Sequence, residues 1–577
     1  MATRIDTTID DELNPKNRYG ITSDGTLIGK FLRGNDAQYI ELFMNKWIGQ
    51  FSGIENDSDL FLLVRLFTYQ EYINWYEGQS HQLLDTISKR ILGLRGKYDK
   101  SYRGYAQLIH KLSQDNKTEV SEVFYTPLSV RIPLSARKRN MYVVGSIGTG
   151  KSTLLKSAIY DDVLRNDSFV AVIDPKGPLA KEVSNWKEFA PGQPHHERLI
   201  YISFSEFLDL FPRFNVFDQF TDPDFAVGGL IDTFSSIFKE ISDGAEFTVA
   251  MQSLLKPALY LIFYSYMNRD EEIKPMNFID LYEMMDPGTQ NAKGRFHSPE
   301  DIKGYLQKAD KIMTNAFHKK FFKEKFSEAL PTSKQGIEWR TAWLLHDAIF
   351  QYMTHGQSTF NLNEIIEKKQ VLVVDLSKGK LNARVSSTIG KLLISSIGLT
   401  MKHREAMGKE IIDCWLTIDE FHNFVTASML TDLAEGRSAG LHFTVAQQVV
   451  QQGMSEEFMR ILMANTAVKL VLQGTLENWE IMEQQLGISR ERISDTPKYY
   501  YWLKIENKPA ILVNTDNELL VDDNNGMTPN ERQQMLSIQR FNYYREPVPL
   551  FAPDADDVIG ADSSDERSDT KVPPLEF

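Results

Sequence analysis

The sequence predicts an α/β chain in which a mostly parallel sheet is interrupted by an all-α insertion and preceded by an N-terminal helical domain. Three observations carry this expectation. From about Val123 onward, short β-branched runs alternate with amphipathic stretches, and strands interleaved with helices build parallel sheets covered on both faces. Between roughly Asp232 and Thr359 the strand signal vanishes, and then it returns. Ahead of Val123, apolar and aromatic residues recur at helical spacing, with no proline from Asp36 to Ser113.

The elements follow in order. Ile40, Leu42, Phe43, Trp47 and Ile48, then Leu60, Phe61, Leu63, Val64, Leu66 and Phe67, mark residues 1–122 as a helical domain or oligomer-contact module. Residues 123–235 form the first part of the sheet domain, with strand runs at 141–144, 169–173 and 199–202. Residues 236–358 are the all-α insertion, with helical runs at 247–267, 278–285, 301–326 and 337–353. The sheet domain resumes over 359–520, with strands at 371–375, 415–418, 442–445 and 468–472. Runs at 499–504 and 510–514 flank Asn507, Lys508 and Pro509 and read as a closing hairpin. Residues 521–577 are a C-terminal extension whose acidic end is too poor in core residues to fold.

Composition narrows the function classes. With 577 residues, 42% hydrophobic and 25% charged, the chain is an ordinary globular protein able to bury a full core. Its one cysteine, Cys414, excludes an internal disulfide framework and a cysteine-rich zinc site; in the apolar run with Trp415 and Leu416 it reads as core. The most apolar stretch, 254–267, is short, contains Lys256, and places Leu255, Ala258, Leu259, Ile262 and Phe263 at helical spacing. A buried helix is the expectation there, not a membrane span. Asp6, Asp10, Asp11 and Glu12 crowd the N-terminus, which is no signal peptide. A cytoplasmic protein without an integral membrane segment follows. The net charge of −14 counts against a protein that coats nucleic acid. Part of it is local, since Asp554, Asp556, Asp557, Asp562, Asp565, Glu566, Asp569 and Glu576 face only Arg567 and Lys571.

The chemistry is carried by Gly145-Ser146-Ile147-Gly148-Thr149-Gly150-Lys151-Ser152, a complete P-loop. Its glycines let backbone N–H groups turn inward around phosphates, Lys151 faces the β and γ phosphates, and the Ser152 hydroxyl binds magnesium. A strand feeds the loop, and a helix from Thr153 leaves it with its N-terminus toward the phosphates. ATP and Mg2+ are therefore the expected ligands. Downstream, the apolar run 415–418 ends in Asp419 and Glu420. An acid at such a strand tip holds the magnesium, which suits Asp419, and Glu420 is placed to polarise the attacking water. A P-loop with this acid pair makes the sheet domain RecA-like and predicts hydrolysis.

Further motifs point to one branch. Val172-Ile173-Asp174-Pro175-Lys176-Gly177 follows the first helix, and Asp419-Glu420-Phe421-His422-Asn423-Phe424 extends the acid pair. Leu433-Ala434-Glu435-Gly436-Arg437, Gly440-Leu441 and Ala446-Gln447-Gln448 come after, and Val373-Val374-Asp375-Leu376-Ser377-Lys378-Gly379 lies before. Over about 125–515 this order resembles the type IV secretion coupling proteins of the TraG/TraD type, within the HerA–FtsK superfamily of ring-shaped DNA pumps. The resemblance implies a homo-hexamer with ATP sites between subunits and DNA, single-stranded or as nucleoprotein, in a central channel. It implies that Gln448 senses the γ-phosphate, with Gln447 one register away, and that Asp174 and Lys176 lie at the mouth of the site. Arg437 would reach a neighbour's phosphate. A relaxase or secretion-channel proteins would be partners, and these would supply any attachment to the inner face of the cell membrane. Two departures stand out: no N-terminal membrane helices are visible, and Asn140 stands where a histidine is common.

Arg137, Lys138 and Arg139 are candidate nucleic-acid contacts. So are Lys319, Lys320, Lys323 and Lys325, interleaved with Phe321, Phe322 and Phe326, and Arg95, Lys97, Lys100 and Arg103. The phenylalanine spacing favours a plain amphipathic helix with its lysines outward. The leading expectation is a DNA-translocating ATPase coupling a nucleoprotein to a channel. A HerA-like DNA-processing or defence pump working with a nuclease is the second, and a nucleotide-gated scaffold that moves nothing is the third.

Overall fold

The computed structural model describes residues 25–31 and 128–547, apart from 208, 243–245, 268–273, 288–299, 327, 378, 380, 451–453, 475–478, 509 and 515–524. The helical run expected over 36–113, its cationic cluster and the acidic tail lie outside the described residues.

One eleven-stranded sheet organises the described residues. Its strands are β1 Gly25–Phe31, β2 Leu128–Pro133, β3 Met141–Val144, β4 Phe169–Asp174 and β5 Leu199–Ser203. A two-residue β6, Phe211–Pro212, stands apart from it. Then follow β7 Val371–Asp375, β8 Cys414–Ile418, β9 Leu441–Gln447, β10 Val468–Leu472, β11 Tyr500–Ile505 and β12 Ile511–Asn514. The spatial order is β2-β1-β12-β11-β10-β3-β9-β8-β4-β7-β5. From β10 to β5 every pairing is parallel; beyond β10 the hairpin β11–β12 and then β1 and β2 add antiparallel strands. The parallel strands are uniformly buried, as strands covered on both faces must be.

Alternation along each strand supplies both faces. Tyr142, Val144, Phe169, Ala171 and Ile173 point into one core cluster, while Met141, Val143, Val170 and Val172 point into the other. Helix α1, Lys151–Arg165, buries Leu154, Leu155, Ala158 and Ile159 on the second face, near α2, Pro178–Ser184. The first face is covered by α3, Pro223–Ile241, and α4, Ala383–Ala406. They approach so closely that a Cβ at Gly229 would lie 2.4 Å from Leu399 Cδ1.

Among the described residues, all elements between β6 and β7 are helical. Phe263, Leu281, Phe322, Ile337 and Phe350 from these helices join the same cluster as the sheet face, so the helical region and the sheet share one continuous core. Helix Val249–Met267 is buried over most of its length, and no described helix is long and apolar enough to cross a membrane.

Two findings differ from expectation. Residues 25–31 fall inside the stretch set aside as N-terminal helical domain, yet they form a sheet strand, paired with β2 through a bulge between Leu27 and Gly29. Its partners lie far along the chain, and non-local pairing leaves no local periodicity to read. Arg137 is not available to nucleic acid: it is 1% exposed, bonds Asp162 at 2.8 Å and lies over the Trp415 ring at 4.8 Å. Lys138 pairs with Asp413 at 2.8 Å and Arg139 with Glu506 at 2.6 Å.

The far edge of the parallel sheet is closed unusually. Helix α5, Pro529–Tyr543, runs beside edge strand β5, and Tyr544 after it begins a short strand, β13 (Tyr544–Arg545), paired with β6. Gln539 Oε1 accepts from Tyr201 N at 2.9 Å and its Nε2 donates to Leu199 O at 3.0 Å. The Tyr544 hydroxyl accepts from Ser203 N at 2.7 Å and donates to Tyr201 O at 3.0 Å. Two side chains thus do for β5 what a neighbouring strand would do.

Candidate active site

The P-loop leaves β3 through glycines, one held by a close approach and two by backbone conformation. A Cβ on Gly145 would meet Leu472 Cβ at 2.6 Å, and Gly148 and Gly150 hold φ of +77° and +107°, values glycine adopts freely. The turn is pinned from within by Thr149 Oγ1, which donates to Ser146 O at 2.8 Å, and from outside by Ser146 N donating to Gln473 O at 2.9 Å and Tyr499 N to Thr149 O at 3.0 Å. Helix α1 then starts at Lys151 with no side-chain cap. Its first N–H groups keep their capacity for an anion, and the helix dipole adds to it. Ile147 is 80% exposed at the tip of the loop, and Ser152 is exposed while Thr153 is half-buried.

One strand, β9, separates the P-loop strand from β8, so the two strand tips stand roughly 10 Å apart. Asp419 leaves β8 with its N–H bonded to Ile173 O at 3.1 Å. Glu420 follows at φ +45°, a left-handed conformation rare for such a residue and 2% exposed; strain of this kind gathers at functional sites. Its N–H donates to Asp419 Oδ1 at 3.0 Å, which turns the two carboxylates toward the P-loop.

Lys151 Nζ bonds Asp419 Oδ1 and lies 3.3 Å from Glu420 Oε1. That Oε1 also accepts from Lys176 Nζ at 2.7 Å and from Gln448 Nε2 at 2.6 Å, and His422 Nδ1 stands 3.6 Å from Oε2. Burial pushes the Glu420 carboxyl up, but Lys151, Lys176 and Gln448 outweigh it and hold it below its ordinary value. Nearby, Asp174 Oδ1 accepts from Lys176 N at 2.8 Å and Oδ2 from Ala180 N at 3.0 Å. There burial dominates and raises the carboxyl's pKa.

Two oxygen donors would suit a hard cation here: the Ser152 hydroxyl, exposed in the first turn of helix α1, and the Asp419 carboxylate, which Lys151 Nζ bonds. Among the described residues no group of three or more His, Cys, Asp or Glu is arranged to hold an ion. A cation here must complete its shell from phosphate and water oxygens, which is magnesium's habit.

The structure therefore brings together Lys151, Asp419, Glu420, Gln448 and Lys176. Gln447 goes elsewhere: it is fully buried, with Nε2 donating to the Tyr142 hydroxyl at 2.6 Å and to Val450 O at 2.7 Å. Arg437 is not brought to this site. It is exposed in the turn before β9, whose Gly440 O accepts from Cys414 N, at the start of β8. Asp419 follows the other end of that strand, roughly 16 Å away. Lys176 was expected only at the mouth; its bond to Glu420 crosses 244 positions and left no signal in the sequence.

Neither a protein-family model nor a curated protein matches the chain. Among solved structures it is similar to the bacterial conjugative coupling protein TrwB in an unbound form, at 17% identity and TM-score 0.47, over 67% of this chain and 87% of that one. TrwB in complex with ADP and Mg2+ is similar at 18% identity and TM-score 0.45, over the same shares. VirB4 of Thermoanaerobacter pseudethanolicus is similar at 14% identity and TM-score 0.42, over 68% of this chain and 91% of that one.

Proposed function

We propose that the chain hydrolyses ATP with magnesium at this site and couples the reaction to movement of DNA. The observation that carries the reading is the meeting of Lys151, Asp419 and Glu420, from elements 268 positions apart, within one hydrogen-bonded cluster. Loop N–H groups and Lys151 would hold the phosphates, while Ser152 and Asp419 would hold the magnesium, which supplies charge neutralisation at the phosphates. Glu420 accepts a proton from the attacking water, and Gln448 aims that carboxylate.

The motif order of a coupling protein supports translocation by a homo-hexamer. In a ring of this kind Arg437, remote from its own P-loop and exposed, serves a neighbour's site, where such a residue is worth about 10³–10⁵ in rate. Cytoplasmic placement, DNA as substrate and secretion-channel or relaxase partners belong to the same reading.

A nucleotide-gated scaffold is the second reading, favoured by the net charge of −14 and by the pairing of Lys138 and Arg139 with acids. Phosphate release measured with and without DNA, beside Lys151→Ala, separates the two. DNA-stimulated turnover that Lys151→Ala abolishes supports the motor. Turnover indifferent to DNA of either strandedness favours the scaffold, and turnover surviving Lys151→Ala defeats the ATPase assignment.

A further inference from the structure

Lys176 belongs neither to the P-loop nor to the acid pair, yet its ammonium shares an acceptor with the P-loop lysine. Both nitrogens, Lys151 Nζ and Lys176 Nζ, lie within 3.3 Å of Glu420 Oε1. Their settings differ. The Lys151 side chain is 8% exposed and the Lys176 side chain 48%. The backbone beneath Lys176 is fixed: its N–H bonds Asp174, and Gly177 turns at φ +94°, where a Cβ would meet Asp375 Oδ1 at 2.8 Å. A rigid turn thus carries a half-solvated ammonium that is able to swing.

Resting on the ATPase reading above, the geometry points to Lys176 as a sensor of the terminal phosphate, bound to Glu420 until a triphosphate draws its ammonium away. A triphosphate engaged by Lys151 brings its terminal oxygens beside Glu420, because that lysine and that carboxylate are already neighbours. The phosphate then competes with the carboxylate for the second ammonium and carries the greater charge. Transfer of Lys176 leaves Glu420 Oε1 with Gln448 Nε2, a neutral donor at 2.6 Å that keeps the carboxylate's orientation. A diphosphate ends short of this point, so Lys176 stays on Glu420. One side chain thereby links the state of the nucleotide to whether that carboxylate is covered.

The test compares Lys176→Met and Lys176→Arg with the parent full-length chain, measuring binding of ADP and of a non-hydrolysable ATP analogue, each with magnesium. Lys176→Met should weaken the analogue by about three- to tenfold and ADP by less than about twofold, since the parent gives up one charge-assisted contact to make a stronger one. Lys176→Arg should restore most of the analogue's affinity. Equal losses for both nucleotides, or no loss for either, overturn the assignment while leaving the ATPase reading in place. A parent chain that binds neither nucleotide defeats the ATPase reading and this assignment with it.

Discussion

Replacing Glu420 by glutamine tests the role of proton acceptor proposed for it. The amide oxygen can still accept from Lys176 and Gln448, which reach Oε1 at 2.7 and 2.6 Å, so the local packing survives. What disappears is a group able to take a proton. A positioned general base contributes about 10²–10⁴-fold, so turnover should fall by that factor, roughly 3–5 kcal/mol of barrier. The substitution acts on the resting state as well. Lys151 is held between Asp419 and Glu420, and it must leave both to meet phosphate. Loss of the negative charge facing Lys151 at 3.3 Å weakens that restraint by roughly 1 kcal/mol, so affinity for ATP should rise by about three- to tenfold. Phosphate release gives the first number and titration with a fluorescent non-hydrolysable analogue the second. Turnover within tenfold of the parent would refute the role given to Glu420, and so would binding lost together with turnover.

Two further predictions concern stability. Lys469 is 8% exposed; burial, with Lys504 and Arg139 adding repulsion, lowers its pKa from 10.5 to about 8. The unfolded chain therefore keeps a proton that the folded chain has given up between about pH 8 and 10.5, and folding stability should rise with pH across that window. In urea titrations Lys469→Met should be more stable than the parent near pH 7.5, with the gap closing by up to about 3 kcal/mol toward pH 10.5; a gap that widens contradicts the assignment. Tyr544→Phe removes the acceptor of Ser203 N and should cost about 1–3 kcal/mol in the same assay, with ATP turnover retained; an unchanged midpoint would show that the hydroxyl is not the edge's partner.

Much of this was legible in the chain itself, and what was not has a common cause. The glycine turn, the acid pair and the strands around them are local patterns, and local patterns survive in a sequence. The hairpin of β11 and β12 was readable from two runs around Asn507 and Lys508. Strand β1 was not, since its pairing with β2 spans about a hundred positions. Arg137 could pass for a surface cation because its neighbours Lys138 and Arg139 are charged; only the fold sets it against Asp162 and Trp415. The choice between Gln447 and Gln448 depended on which way β9 turned as it ended, and one residue of register separates a core amide from one that touches Glu420.

The side-chain closure of strand β5 makes the whole sheet dependent on a segment outside it. Gln539 and Tyr544 lie beyond every strand of that sheet in sequence, so a chain cut ahead of Thr528 would retain all eleven strands and still lose the groups that quiet the last one. Leu199, Tyr201 and Ser203 would then offer bare amides and carbonyls to any passing chain. A fragment trimmed to the nucleotide-binding core by its sequence limits alone is thus primed to self-associate, and the natural place to end it lies after Arg545.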